Sequence, residues 1–182
     1  RCNMGNNMEL NYDMFCYQCE QTAGGKGCTK LGVCGKTPEV AGLQDLLIFQ
    51  IKGISCYAKE LLDKGEHISK DIVKFIENSL FTTLTNVNFD PEAHVKLLKE
   101  SQKIKEELRT HVRKPAIDTA HASYDLPDTK TEMLKDAPIA GIMYDANLDP
   151  DIRSLRQTIV YGLKGISAYG HQARELGYYS DS

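Results

Sequence analysis

The stretch TPEVAGLQDLLIFQIKGISCYAKELLDKG, residues 37–65, decides the fold. Thr37-Pro38-Glu39 reads as a helix start. Thr caps the first turn, Pro occupies the first helical position where its missing N–H costs no hydrogen bond, and an acid follows near the positive end of the dipole. Apolar residues then recur at Val40, Leu43, Leu46, Leu47, Phe49, Ile51, Ile54, Tyr57, Ala58, Leu61 and Leu62. That is helical spacing, with a stripe broad enough for a largely buried helix. Gly65 is placed to stop it.

The same pattern returns without a gap at residues 149–177, displaced by 112 positions. Asp149-Pro150-Asp151-Ile152 stands for Thr37-Pro38-Glu39-Val40. Lys164-Gly165-Ile166-Ser167-Ala168-Tyr169 stands for Lys52-Gly53-Ile54-Ser55-Cys56-Tyr57, and Gly177 for Gly65. Two unrelated amphipathic helices would not share a cap, an internal Lys-Gly-Ile-Ser run and a stop. Glycine costs about 1 kcal/mol in a helix interior, so the repeated Gly53 and Gly165 mark a close approach of another helix or backbone.

Between the copies, a second helix is expected after the Ser69 cap, carrying Ile72, Val73, Ile76, Leu80 and Leu84. Its threonine-rich tail, residues 82–85, leaves its end open. A third opens at Asp90-Pro91-Glu92 and carries Val95, Leu98, Ile104 and Leu108, with Lys99, Lys103 and Glu107 on other faces. Residues 113–148 contain Pro115, Pro127 and Pro138 and no sustained periodicity, so they read as a connector with short extended pieces near Ile139–Met143. The expected architecture is all-α and of the three-helix-bundle type, with a repeated long helix. A Cys-rich loop (14–36) precedes the first bundle (37–112), and the connector (113–148) leads to the first helix of a second, incomplete bundle (149–182). The partner helices of that second copy are missing, and a bare apolar face is a large exposed patch. The chain is therefore expected to be the front piece of a longer polypeptide, or to complete the bundle with a second copy of itself. Residues 1–13 are polar and Asn-rich without an apolar h-region, hence no secretory signal. They are expected to be a disordered leader or vector-derived residues, with Met14 as the natural start.

The chain has 182 residues, 41% apolar and 26% charged, an ordinary globular composition. No uninterrupted apolar run is long enough to span a membrane. A net charge of −3 lacks the electrostatic footprint of a general nucleic-acid binder. No nucleophile elbow, P-loop or dinucleotide fingerprint is present. The histidines, His67, His94, His111, His121 and His171, form no paired ligand motif and read as surface or helix-end residues. His171 stands out because it follows the repeated run, yet its counterpart is Lys59. No residue is assigned a catalytic role.

Chemistry is concentrated in the cysteines. Of six, Cys16, Cys19, Cys28 and Cys34 follow the pattern C-x2-C-x8-C-x5-C. A disulfide framework is one reading, although without a signal peptide the expected compartment is the reducing cytoplasm. Structural zinc is a second, although only the first pair has knuckle spacing. An iron–sulfur cluster is the third: one close pair and two more widely spaced thiolates suit a centre whose corners lie further apart than the ligands of a single ion. The intervening Thr22-Ala23-Gly24-Gly25-Lys26-Gly27, with Gly32 and Gly35 about Cys34, allows close backbone approach and inward N–H groups. Lys26, Lys30 and Lys36 could compensate a net negative cluster or simply be solvated. Cys56 falls within the apolar helix and reads as a buried cysteine. Cys2 lies in the leader.

The run Met14-Phe15-Cys16-Tyr17-Gln18-Cys19-Glu20-Gln21-Thr22 resembles the amino terminus of the hybrid cluster proteins, the prismane or hydroxylamine reductase family. The likeness continues through Cys28, Cys34 and Gly35 and both Lys-Gly-Ile-Ser helices, over essentially residues 14–182. The resemblance implies a helical amino-terminal domain of two three-helix bundles with a surface-near electron-transfer cluster. It implies Cys16, Cys19, Cys28 and Cys34 as ligands of a [4Fe–4S] cubane, the x8 and x5 spacings resembling that branch and not the [2Fe–2S] one. It further implies an oxidoreductase parent that reduces hydroxylamine to ammonia and water, with nitric oxide as an alternative substrate, supplied by an electron-donor protein. The family's hybrid iron–sulfur–oxygen centre needs His, Glu and later Cys ligands, and this chain has no cysteine after Cys56. The chain alone is thus expected to store and pass electrons without turnover. A zinc-bound helical interaction module and a relative of carbon monoxide dehydrogenase are the alternatives.

Overall fold

The computed structural model describes residues 12–117, 120–144 and 147–178. Six α-helices follow in order: α1 Pro38–Asp63, α2 Lys70–Thr82, α3 Pro91–His111, α4 Ala120–Ser123, α5 Lys130–Asp136 and α6 Pro150–Glu175. Among the described residues the only extended pairing is an isolated antiparallel bridge between Cys16 and Cys28. The chain is all-α, as its periodicity dictates.

The repeat is kept to the residue. α1 and α6 each have 26 residues and start with Pro after a capping side chain. Thr37 Oγ1 accepts from Val40 N, and Asp149 Oδ1 accepts from Asp151 N and Ile152 N. Both helices are followed by glycine in the left-handed region, Gly65 at φ 78° and Gly177 at φ 80°. That conformation costs an L side chain about 1 kcal/mol or more and glycine nothing. The caps at Ser69 and Asp90 also form as their sequences require. The tail of α2 resolves at Thr82; Leu84 lies beyond it, and Asn86 turns the chain at φ 60°.

The two copies differ in what covers them. α1 is the central element, packed on α3, α4, α5 and the following 3-10 turn, and more lightly on α2. Its apolar stripe is buried apart from Leu62. One core cluster joins Leu43, Leu46, Leu47 and Ile51 to Leu80, Val95, Leu98, Met133 and Leu134. A second joins Ile54, Tyr57 and Leu61 to Ile72, Leu108, Val112 and Ala122. α6 packs chiefly on α2, through the Arg174–Glu77 ion pair, the His171–Asn78 hydrogen bond of 2.9 Å and the stacking of His171 on Phe81 at 4.8 Å. The remaining face is open. Leu155, Ile159, Ile166 and Tyr169 are exposed, whereas their counterparts Leu43, Leu47, Ile54 and Tyr57 are buried. The repeated glycine shows the same contrast. A Cβ on Gly53 would lie 2.3 Å from the carbonyl oxygen of His121 on α4, but one on Gly165 would meet nothing within 4 Å.

Two expectations are corrected. Residues 113–148 are not an irregular connector with extended pieces: they form α4, α5 and a 3-10 turn at Ala137–Ala140, and residues 141–144 turn. The reason is local. Thr129 caps α5 by accepting from Glu132 N, while Glu132 accepts in return from the Thr129 hydroxyl. Met133 and Ala137 are then fully buried against α1. Tyr12, set aside above with the leader, belongs to the fold: its ring lies over Gly42 and its hydroxyl donates to Asp45 Oδ2 at 2.7 Å. Residues 1–11, including Cys2, lie outside the described residues.

A buried cation anchors the returning segment. Lys105 is fully enclosed, and its ammonium donates to Gln50 Oε1 at 2.6 Å and to the Tyr124 carbonyl. Arg109 Nη2 donates to the Ala122 carbonyl at 2.9 Å and its Nη1 pairs with Asp125.

Candidate metal centre

The Cys-rich loop runs directly into the N-terminus of α1. Cys16 and Cys28 face each other across a reciprocal backbone pair, with N–H to O distances of 3.1 and 2.8 Å. Between them the chain turns at Cys19, whose carbonyl accepts from Thr22 N at 3.3 Å. It continues through a 3-10 turn, Ala23–Gly25, in which Gly24 and Gly25 both take positive φ. A second turn brings Cys34 back: Gly35 N donates to Gly32 O and Gly32 N to Lys36 O, each at 2.8 Å. A Cβ on Gly32 would stand 3.0 Å from Cys34 Sγ. The glycine thus keeps side-chain bulk away from the thiol.

These turns bring all four sequence-predicted cysteines to the lining of one void, with Gln18, Thr22, Gly32, Lys36 and Thr85. All four are free thiols; Cys28 is buried and the others half-buried. Among the described residues no three His, Cys, Asp or Glu side chains are drawn tightly enough together to hold a single metal ion. The thiols surround a space and do not converge on a point. Thr22 contributes a buried hydroxyl without a hydrogen-bond partner on the same void. Cys56 lies half-buried on α1 against the second core cluster, away from that lining.

A polar layer lies behind the cysteines. Phe15, Tyr17 and Tyr161 pack in sequence, the first pair tilted and the second edge-to-face, with centroids 5.4 and 5.8 Å apart. The Tyr161 hydroxyl is buried without a partner, and an adjoining cavity is lined by Cys16, Lys36, Asp45, Tyr161 and Lys164. Lys164 Nζ donates to Gln18 Oε1 and to the Thr83 carbonyl, each at 3.1 Å. Burial pushes the Lys164 ammonium down to about 8, against the pull of Asp45 and Cys16. Burial pushes the Asp45 carboxyl up to about 6, opposed by the Tyr12 hydrogen bond and by Lys164, Lys36 and Lys52. Of the three loop lysines singled out by sequence, Lys26 and Lys30 are exposed and Lys36 is buried.

Sequence reasoning missed Tyr12, Asp45, Tyr161 and Lys164. Only Lys164 carried a signal, as the counterpart of Lys52 in the repeat. His94 is in the first turn of α3 but is fully buried, its Nδ1 donating to Asp90 O at 2.7 Å and its Nε2 lying 3.3 Å from Gln44 Nε2. Burial holds it below the usual histidine range. Beyond Ile142 and Gln157, which line both, a larger cavity of about 740 Å³ is lined by Phe49, Lys52, His121, Tyr144, Arg153 and Arg156. Burial, then Lys52, Arg156 and Lys105, pushes His121 down to about 4.

Residues 14–182 match the prismane/CO dehydrogenase family. The chain belongs to that family. Among curated relatives, this prismane-family chain is 43% identical over 173 residues to the hydroxylamine reductase of Syntrophobacter fumaroxidans, covering 93% of this chain and 32% of the relative. It is 45% identical over 167 residues to that of Bacteroides thetaiotaomicron, covering 92% and 30%. It is 41% identical over 172 residues to that of Thermoanaerobacter pseudethanolicus, covering 93% and 31%. The prismane-family chain therefore spans about a third of the length of the curated relatives it matches.

Proposed function

We propose that this chain is the amino-terminal electron-transfer domain of a hydroxylamine reductase, with a [4Fe–4S] cluster held by Cys16, Cys19, Cys28 and Cys34. The observation that carries the reading is the single void lined by all four thiols. Three features support the fit. The donor set is all thiol, the preference of iron–sulfur clusters. The glycine at position 32 leaves room beside Cys34, and the Thr22 hydroxyl is a buried donor without a partner in the protein, a costly state unless something on the void accepts from it. When bound, such a cluster supplies reversible one-electron chemistry. The chain's own residues do the rest: the Cys16–Cys28 backbone pair and the two glycine turns fix the thiols, and Phe15, Tyr17 and Tyr161 pack as a row of rings joining the loop to α6.

The parent reaction on this reading is NH2OH + 2e− + 2H+ → NH3 + H2O. The names of the relatives support it. This chain has no cysteine after Cys56, so a further thiolate-bound centre would draw on residues outside it. The chain alone is then an electron carrier, fed by a donor protein in the cytoplasm. No described helix is long and apolar enough to cross a membrane. The open face of α6 is read as the seat of further helices of the same polypeptide, in keeping with relatives about three times as long. Sedimentation that shows a tight dimer of the 182-residue chain would assign that face to a second copy instead.

The test is metal and sulfide analysis with a visible spectrum on anaerobically purified protein. About four irons and four sulfides per chain, with a broad brown absorption, are expected. One zinc and no iron, unchanged after iron–sulfide reconstitution, would overturn the reading in favour of a structural zinc module.

A further inference from the structure

Two lysines are buried to 4% exposure each, Lys36 on the cysteine void and Lys164 on the adjoining cavity that Cys16 and Lys36 also line. Neither is in an ion pair with a carboxylate among the described residues. Lys164 bonds only neutral oxygens, those of Gln18 and Thr83. The one carboxylate whose field reaches it, Asp45, is engaged by the Tyr12 hydroxyl and shared with Lys36 and Lys52. The layer behind Cys16 therefore holds more positive than negative charge, out of reach of water. An unpaired buried charge is among the costliest arrangements in a protein, and removing its partner strongly destabilises a fold. The group that would balance it is on the other side of Gln18: a set of thiolates with net negative charge.

The repeat sharpens the point. Lys52 and Lys164 occupy the same position in the two copies, but Lys52 is exposed and Lys164 is enclosed. Gln18 lies within the Cys16–Cys19 turn; its Oε1 accepts from this α6 ammonium, and its Nε2 donates to the Thr83 carbonyl at the end of α2, which the ammonium shares.

We infer that Lys164 is the counter-charge of the cysteine centre. It is a positioning residue that holds Gln18 over the Cys16–Cys19 turn and stabilises the more negative, reduced state of the centre. The inference rests on the cysteine-held cluster proposed above. Reduction adds one electron from an external donor and hence one negative charge, which the fixed ammonium favours.

The test compares the unmodified 182-residue chain with Lys164→Gln, Lys164→Arg and, at the exposed counterpart, Lys52→Gln. Iron and sulfide content is measured first, then a stepwise potentiometric titration followed by electron paramagnetic resonance. Absence of iron from the unmodified chain after reconstitution strikes the cluster reading itself. With iron present, Lys164→Gln is expected to favour the oxidised form at least tenfold at fixed potential, a shift of about 59 mV for a one-electron couple. Lys164→Arg and Lys52→Gln are expected to stay within threefold. Lys164→Gln with full iron and a potential within threefold of the unmodified chain overturns the inference. If Lys164→Gln keeps its helix content but holds no iron while Lys164→Arg does, the charge acts through assembly and the inference stands. Loss of iron in both variants, or loss of helix content together with iron in Lys164→Gln, reduces Lys164 to a latch on Thr83 and overturns it.

Discussion

Replacing Gly53 and Gly165 by alanine, one at a time, asks the same question of two equivalent helix positions with opposite surroundings. Alanine gains about 1 kcal/mol over glycine in a helix interior from propensity alone. At Gly165 nothing opposes that gain, because a Cβ there has nothing within 4 Å. At Gly53 the new methyl would stand 2.3 Å from the His121 carbonyl oxygen and 3.3 Å from Lys105 Cδ. The carbonyl cannot simply withdraw. The next residue of α4, Ala122, is fixed by the Tyr57 hydroxyl at 3.1 Å and Arg109 Nη2 at 2.9 Å. Overpacking of this kind costs about 1–3 kcal/mol, and loosening each of those hydrogen bonds adds about 1 kcal/mol. After the propensity gain, Gly53→Ala is expected to lose about 2–4 kcal/mol and Gly165→Ala to gain up to about 1 kcal/mol. For a chain of this size each kcal/mol moves the melting temperature by about 2–4 °C. Denaturant melts followed by far-UV circular dichroism measure both. Equal shifts of the two variants in the same direction would refute the assignment of Gly53 to a backbone contact.

Met133 is fully buried in the first core cluster, so Met133→Ala should cost about 2–5 kcal/mol by chemical denaturation; a loss below about 1 kcal/mol would mean that α5 is not part of the core. Burial and the facing cations push His121 down to about 4 in the fold against about 6.5 unfolded, so between those values the unfolded chain binds a proton that the fold refuses. Stability from this group is therefore full above about pH 6.5 and is lost as pH falls towards 4. Subtracting the melts of His121→Gln from those of the unmodified chain should isolate that slope, and a flat difference contradicts the burial and the three facing cations. Serine at Cys16, Cys19, Cys28 or Cys34 should each abolish or deplete bound iron, whereas Cys56→Ser should retain it; iron retained by all four loop variants would place the centre elsewhere.

Long, strongly patterned elements were readable because burial and period coincide in them. Val40, Leu43, Leu46 and Leu47 announce the buried face of α1, and the displacement of 112 residues places α6 with its cap and stop. That Cys16, Cys19, Cys28 and Cys34 gather about one void was legible from their spacing and glycine-rich setting. α4 and α5, of four and seven residues, were not, since they are too short for a period to register. The Thr129–Glu132 capping box was the only local cue, and it is easily lost among three prolines. The burial of Lys105 and Lys164 was unreadable for another reason, although the repeat marked Lys164 as the counterpart of Lys52. A charge inside an apolar stripe normally signals the solvent face, and only the carbonyls and amides that meet these ammonium groups in space reverse that sense. Tyr12 was hidden by the polar company of its neighbours.

The hydrogen bond from Lys164 to Gln18 joins residues 146 positions apart. Ribosomes add about 5–20 residues per second, so the loop emerges roughly 7–30 s before the helix that closes it. Through that interval Cys16 to Cys34 are already outside the tunnel, while the cavity that adjoins their void still lacks the α6 residues Tyr161 and Lys164 that line it. Iron and sulfide delivered to the nascent chain would meet the loop before Lys164 reaches Gln18, and oxidants would meet it in the same state. On the proposed cluster reading, assembly on the nascent chain would run in a race set by translation, with the arrival of the α6 ammonium as its finishing line.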